Sequence, residues 1–178
     1  MKTTELILEL TNMTNKNIFE AENFKKLNTE QLNSKPSETS WSVLECLEHL
    51  NLYEDFYIPE IYTRINNSNL PSYDIFKTGT LGNYFAKMLA PKEKLNKMKT
   101  FNNMNPLNSD LDKNIIDRFL SQQQDLLSIL KKVESKNLNK IKTSISISKL
   151  IKLKLGDTLR VVIYHNNRHI AQANRLVN

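Results

Sequence analysis

Apolar residues recur at the spacing of an amphipathic α-helix in four long stretches of this sequence. The first stretch runs from about residue 3 to residue 30 and repeats apolar side chains at intervals of three, four and seven. The 178 residues include only three glycines and five prolines. A protein of many β-strands needs more of these turn-forming residues, so the sequence favours helices. The apolar positions of the first stretch are Leu6, Leu10, Met13, Ala21, Phe24 and Leu27.

The second stretch opens with a signal for the start of a helix. Ser42 and Glu45 have the spacing of a capping box, in which the serine hydroxyl accepts a hydrogen bond from the amide three residues on and the glutamate reaches back. We therefore expect the second helix at residues 42–64. Pro59 lies inside this range and is expected to kink or shorten the helix, because proline lacks an amide proton.

The third and fourth stretches predict two further helices. Ser109 and Asp112 suggest another cap, and the apolar periodicity that follows predicts a helix at residues 109–135. The last periodic stretch predicts a helix at residues 156–176. Four long helices in one chain of this length are typical of a four-helix bundle.

The connection between the second and third helices is the least regular part of the sequence. Residues 65–107 carry two proline-containing turns, and we expect a long irregular connection with one short helix near residues 79–89 or 91–99. The later stretch SISISKLIKLKL alternates polar and apolar residues, which indicates an extended segment. Because no partner strand is evident, we expect this segment to cross the bundle and not to form a sheet. The predicted fold class is all-α, a four-helix bundle in a single domain that spans residues 1–178.

The composition of the chain limits which binding partners and which cellular compartment we expect. The 25 Lys and Arg residues exceed the 19 Asp and Glu residues by six, but the lysines are scattered, which favours a solvated surface over a nucleic-acid groove. No apolar run is long enough to span a bilayer, and the opening MKTTELILEL lacks the features of a signal peptide. The single cysteine, Cys46, suits a reducing compartment. We therefore expect a cytoplasmic protein without nucleic-acid or membrane partners.

The three histidines of the chain are the candidate functional residues. His165 and His169 are four residues apart in YHNNRHIAQ, so on a helix they project about 40° apart and face the predicted bundle interior. His49 lies at the edge of the apolar face of the second helix, which suits a position at the lip of a cleft. Imidazoles at this spacing can hold one metal ion, and a third nitrogen from another helix completes an open tetrahedral site. The alternative is that each histidine is an ordinary hydrogen-bonded residue of the core or surface.

Two motifs add a resemblance to a known family. KPSETSWSVLECLEHLNLYE and the later LGDTLRVVIYHNNRHIAQANRL closely resemble the DinB/YfiT-like superfamily of metalloenzymes, in particular its DinB-like domain 2 branch. The resemblance implies a four-helix bundle, frequently a homodimer, in which three histidines hold a divalent ion. The motif positions in this chain are Trp41, Ser42, Glu45, His49, His165, Arg168, His169 and Gln172.

The resemblance also suggests which side chains surround the ion. The metal ligands would be His49, His165 and His169, and the ion would be zinc or nickel, although imidazole suits several late first-row metals. Arg168 and Gln172 could orient these ligands or the substrate, and Arg168 could equally form a salt bridge at a dimer interface. Two residues on the second helix are further candidates. Glu45 could serve the site or only cap the helix, and Tyr53 could line the pocket or only pack.

The chemistry that follows from such a site leaves three hypotheses open. Three neutral imidazoles leave a divalent ion its full charge, and a strong Lewis acid lowers the pKa of bound water and deprotonates a bound thiol. The protein could therefore transfer a low-molecular-weight thiol to an electrophilic small molecule, or it could hydrolyse a small-molecule substrate. A non-catalytic scaffold protein is the third hypothesis. The sequence assigns no catalytic residue.

Overall fold

Four long helices frame the fold in the computed structural model, which describes residues 1–90 and 99–177. The long helices α1, α3, α5 and α6 contact one another around a closed ring, in the order α1–α5–α3–α6. The predicted all-α bundle is therefore confirmed. The helices are α1 (Thr3–Phe24), α2 (Thr29–Asn33), α3 (Val43–Asn66), α4 (Thr80–Leu89), α5 (Asn114–Val133) and α6 (Leu155–Asn174).

Helix α3 begins where the capping box predicts. The Ser42 hydroxyl accepts a hydrogen bond from the Glu45 amide at 3.2 Å, and the Glu45 carboxylate accepts one from the Ser42 amide at 2.8 Å. Pro59 lies inside the helix without ending it, since α3 continues to Asn66. The start of α3 matters for function because it sets the position of His49 two turns further on.

Two predicted helix boundaries are wrong. The first helix ends at Phe24, and the short helix α2 follows it as a separate element. Helix α5 begins at Asn114 and not at Ser109. Asp112 does not complete a capping box; its carboxylate accepts a hydrogen bond from the Asn114 amide at 2.8 Å, which delays the start of the helix.

The connection between α3 and α5 contains the predicted short helix. Helix α4 occupies one of the two expected positions, and a short 3₁₀ turn follows at Asn102–Met104. The other expected position, near 91–99, falls almost entirely on residues 91–98, which lie outside the described residues. Helix α4 packs against α6.

The expectation that SISISKLIKLKL forms no sheet is wrong. Strand β1 (Lys142–Ile145) and strand β2 (Ser148–Lys154) form an antiparallel hairpin, with Thr143 opposite Leu153. The partner of β2 is β1, which overlaps the beginning of the same alternating stretch. The turn between the two strands lacks the Asn-Gly or Asp-Gly pair that indicates a tight hairpin. A buried hydrogen bond of 2.6 Å between the hydroxyl groups of Thr143 and Thr158 connects the hairpin to α6.

A layer of buried polar residues divides the bundle core into two apolar clusters. This polar layer takes one residue from each long helix: Asn17, Glu54, Gln123 and Asn166. Along each helix, the apolar residues on one side of the layer belong to the first cluster and those on the other side belong to the second. Polar groups at this depth remain only where they are hydrogen-bonded or functional. In the described part of the chain, no helix is both long and apolar enough to cross a membrane.

Candidate metal centre

The fold brings the three histidines of the sequence together. His49 comes from α3, and His165 and His169 come from successive turns of α6. One nitrogen from each ring lies within 4.8 Å of the other two, and Nε2 of His49 is 3.1 Å from Nε2 of His165. Three nitrogens this close form a cluster that can hold one metal ion. His49 is only 2% exposed, so it lies deeper than the cleft lip that its position in the sequence suggests.

Hydrogen bonds on the far sides of two rings aim their remaining nitrogens at the cluster. Nδ1 of His49 lies 2.6 Å from the carbonyl oxygen of Met104, and a carbonyl only accepts, so Nδ1 carries the proton. Nδ1 of His169 lies 3.0 Å from the side-chain oxygen of Gln172, which gives the same assignment. The Nε2 lone pairs of both rings then point into the cluster, where Nε2 of His49 lies within hydrogen-bond distance of Nε2 of His165. This is the outer support that metal-binding histidines usually have.

Burial keeps all three rings neutral. It lowers the pKa of His49 to about 4, although the hydrogen bond to Met104 acts in the opposite direction. The pKa values of His165 and His169 fall well below the ordinary value, first through burial and then because the other histidines and Arg168 lie nearby, although the hydrogen bond to Gln172 acts in the opposite direction at His169. Neutral imidazoles have the free lone pairs that a metal ion requires, so the donor set fits a divalent cation.

Two aromatic side chains enclose the cluster. The ring of Trp41 lies 4.6 Å from that of His49 and 5.6 Å from that of His169, between ring centres. Tyr53 lies 5.0 Å from His49 and 4.8 Å from His165. Burial raises the pKa of Tyr53 to about 12, so its hydroxyl keeps its proton. Trp41, one of the motif positions of the sequence, therefore lies in the wall of the site.

The histidines open onto a cavity of about 1100 Å³. Tyr53, Arg168 and Gln172 line this cavity together with the three histidines. The Glu45 carboxylate forms hydrogen bonds outside the histidine cluster. Besides capping α3, its carboxylate accepts hydrogen bonds from the Asn108 amide and the Lys35 ammonium, both at 2.6 Å.

Glu54 is the residue of this wall that sequence reasoning missed. It is completely buried and lines the cavity. One carboxyl oxygen accepts hydrogen bonds from the amides of Gln123, at 2.7 Å, and Asn166, while the other has no hydrogen-bond partner among the described residues. Burial raises the pKa of Glu54 to about 8, against the two amide hydrogen bonds. A signal was present, since Glu54 continues the apolar stripe of Leu47, Leu50, Tyr57 and Ile61 at helical spacing.

Fold and site together define a class of protein: a helical bundle with a three-histidine cluster that can hold a metal ion between two of its helices. Residues 19–173 match the family model of the DinB superfamily, and the chain therefore belongs to that superfamily. No curated protein and no solved structure matches the chain significantly.

Proposed function

We propose that this protein is a metal-dependent enzyme that transfers a low-molecular-weight thiol to an electrophilic small molecule. The observation that carries the proposal is the convergence of three neutral imidazoles in the wall of a cavity of about 1100 Å³. Cavities of several hundred Å³ hold one drug-sized molecule, so this one has room for both reactants.

In this proposal His49, His165 and His169 would hold a divalent cation, and we favour zinc or nickel among the several late first-row metals that imidazole nitrogen suits. When bound, the cation would supply Lewis acidity, which lowers the pKa of a coordinated thiol or water. Met104 and Gln172 hold two of the rings in place through their Nδ1 protons. Because none of the three ligands is charged, the cation keeps its full positive charge.

The condition of the nearby carboxyl groups favours thiol transfer over hydrolysis. Hydrolysis commonly uses a general base to take a proton from water. Glu45 is held by the helix cap and Lys35, and the raised pKa of about 8 keeps Glu54 protonated at neutral pH. In transfer, a sulfur–carbon bond forms, the bond to the leaving group breaks, and the thiol proton passes to the leaving group or to solvent. A thiol acidified by a cation does not require a carboxylate base.

The test is an assay of zinc- and nickel-loaded protein, purified without a polyhistidine tag. The protein is incubated with a panel of cellular thiols and a chromogenic aryl halide, beside a panel of esters and amides. We expect metal-dependent thiol conjugation that falls by on the order of 100-fold or more in His169→Ala. The control is Gln124→Ala, a change at an exposed residue of α5.

The other results of this assay each select a different function. Turnover restricted to esters or amides would replace the transferase with a hydrolase. Metal binding without either activity would favour the non-catalytic scaffold. Conjugation of equal rate in His169→Ala would show that the histidine cluster is not the site of the reaction.

A further inference from the structure

The polar layer of the core reaches the cavity through two of its four residues, Glu54 and Asn166. Apolar surface lies on either side of this point. Tyr57 lies one turn beyond Glu54 on α3, Val162 lies one turn before Asn166 on α6, and both line the cavity. Glu54 therefore places a carboxyl group within a largely apolar part of the wall.

The hydrogen bonds of Glu54 determine which of its two oxygens carries a proton. Oε1 accepts hydrogen bonds from the side-chain amides of Gln123, at 2.7 Å, and Asn166. Two N–H groups occupy the lone pairs of this oxygen, so the proton of a neutral carboxyl group belongs on Oε2. Oε2 is buried and has no hydrogen-bond partner among the described residues.

The surroundings of Glu54 keep the carboxyl group neutral. Among the described residues, no lysine, arginine or histidine forms an ion pair with it. An unpaired charge in the interior is unfavourable. Burial first, and then the nearby Asp55 and Asp125, raise the pKa to about 8 against the two amide hydrogen bonds. At neutral pH, Glu54 is therefore a carboxylic acid whose O–H group has no acceptor in the described part of the chain.

A buried O–H group without an acceptor is unfavourable, and a ligand that supplies the acceptor removes this cost. A site built around such a group strongly rejects an analogue that lacks the acceptor, because the buried polar group is then left unpaired. An apolar site can hold a carboxylic acid neutral at pH 7 so that it donates a hydrogen bond to an oxygen of the substrate. Carbonyl oxygen is a suitable acceptor, since it is uncharged and compatible with apolar surroundings.

We propose that the cavity binds an apolar molecule that carries a carbonyl group, and that Oε2 of Glu54 donates a hydrogen bond to the carbonyl oxygen. The apolar part of the molecule packs against Tyr57 and Val162. Glu54 is then a residue that determines specificity. This inference rests on the proposed function in that it names a functional group of the electrophile, but the hydrogen bond itself needs no metal ion.

Two probes of the same shape test the proposal in metal-free protein. One is 4-phenylbutan-2-one, and the other is the alkene in which a CH₂ group replaces the carbonyl oxygen. Calorimetric titration gives the ratio of their dissociation constants. Glu54→Met removes the donor at similar side-chain length, so the ratio should shift against the ketone by about tenfold. Glu54→Gln keeps an N–H donor, and its ratio should stay within about threefold of the wild-type ratio.

Controls separate recognition from folding. Glu22→Met, at an exposed position of α1, should keep the wild-type ratio. Thermal melting shows whether Glu54→Met folds, because that change removes the acceptor of the Gln123 and Asn166 amides. A second measurement needs only the wild type and Glu54→Gln.

This second measurement is the infrared spectrum of the bound ketone, labelled with ¹³C at its carbonyl group. A hydrogen bond lowers the C=O stretching frequency, and a carboxylic acid is a stronger donor than an amide. The frequency should therefore be lowest in the wild type, higher in Glu54→Gln and highest for the free ketone in hexane.

Three results would overturn the proposal. One is a ketone that does not bind the wild-type protein. Another is the wild-type ratio of dissociation constants in folded Glu54→Met. The third is the same carbonyl frequency in the wild type and Glu54→Gln. All measurements use metal-free protein, so their failure would leave the metal-dependent transferase untouched, and an inactive enzyme would leave the carbonyl site untouched.

Discussion

Glu54 combines complete burial with a carboxyl group in which only one oxygen is hydrogen-bonded to the described residues. Its two amide partners, Gln123 and Asn166, belong to the polar layer that divides the core. Both partners donate to the carboxyl group, which supports the charged form, but burial outweighs them and raises the pKa to about 8. The folded protein therefore keeps a proton on Glu54 at a pH where an exposed glutamate has lost it.

This retained proton predicts how stability depends on pH. The unfolded chain releases the Glu54 proton near its ordinary pKa of 4.5, whereas the folded chain releases it near 8. The folded state therefore binds the extra proton in this window, and the free energy of unfolding falls as pH rises through it, by at most about 1.4 kcal/mol per pH unit. Glu54→Gln removes this contribution, so the variant should gain stability relative to the wild type from pH 5 to pH 8.

Urea unfolding at pH 5, 6, 7 and 8 measures this difference. Titration of the histidines cancels in the comparison, because both proteins contain them. Glu22→Gln, at an exposed position of α1, should show no such pH-dependent gain. A constant difference between the wild type and Glu54→Gln across the four pH values would contradict the prediction.

A buried hydrogen bond between two hydroxyl groups is one of the contacts that hold the hairpin against the bundle, beside the hydrogen bond from the Ser144 amide to Glu60 and the packing of Ile145 and Leu153 in the core. Thr143 of β1 and Thr158 of α6 are both completely buried, and their hydroxyls are 2.6 Å apart. The hairpin supplies part of the apolar wall of the cavity, so this contact helps to hold that wall in place. The Thr158 hydroxyl also donates to the carbonyl oxygen of Lys154 at 3.3 Å, so it keeps one hydrogen bond when the Thr143 hydroxyl is removed. Removing the Thr158 hydroxyl instead leaves Thr143 without this hydrogen bond in the interior, which typically costs about 1 to 3 kcal/mol.

We therefore expect Thr158→Val to lower the free energy of unfolding by about 1 to 3 kcal/mol, and Thr143→Val to lower it by less, because Thr158 keeps its hydrogen bond to Lys154. The double variant should lose less than the sum of the two, because it leaves neither hydroxyl unsatisfied. Urea unfolding of the wild type and the three variants measures this coupling, with Thr4→Val at an exposed position of α1 as the control. Strict additivity would mean that the two hydroxyls contribute independently.

Across the whole molecule, a bound metal ion would join two helices that are far apart in sequence. His49 and His165 are separated by 116 residues, and α4, α5 and the hairpin lie between helices α3 and α6 in the sequence. An ion that binds only the folded state stabilises it by about 2.7 kcal/mol when its free concentration is 100 times the dissociation constant. For a chain of this size, that corresponds to a rise in melting temperature of roughly 5 to 10 °C.

Thermal melting with and without zinc tests this linkage, and elemental analysis should find close to one zinc per chain. His165→Ala should lose both the bound zinc and the increase in melting temperature, whereas Gln124→Ala should keep both. An equal increase in His165→Ala would mean that zinc stabilises the protein through other residues.

Local sequence patterns were sufficient for most of the helices and for the candidate ligands. Apolar periodicity predicted the four long helices, and the Ser42–Glu45 pair predicted the start of α3, because both depend on interactions within a few residues. The spacing of His165 and His169 placed them on one helix face for the same reason. His49 was predicted to be the third ligand from the motifs of the DinB superfamily, because no local pattern connects it with His165 and His169.

The hairpin, the raised pKa of Glu54 and the cavity depend on tertiary structure. The hairpin went unrecognised because strand pairing depends on a partner and a turn that carried no distinctive residues. Glu54 lies in the apolar stripe of α3, which indicates a buried position, but only the packing of four helices around it removes water and raises its pKa. The cavity likewise arises where α4, the hairpin and α6 enclose space beside the histidines. Helical spacing determines which face a side chain occupies, but burial, charge and enclosure depend on what packs against that face.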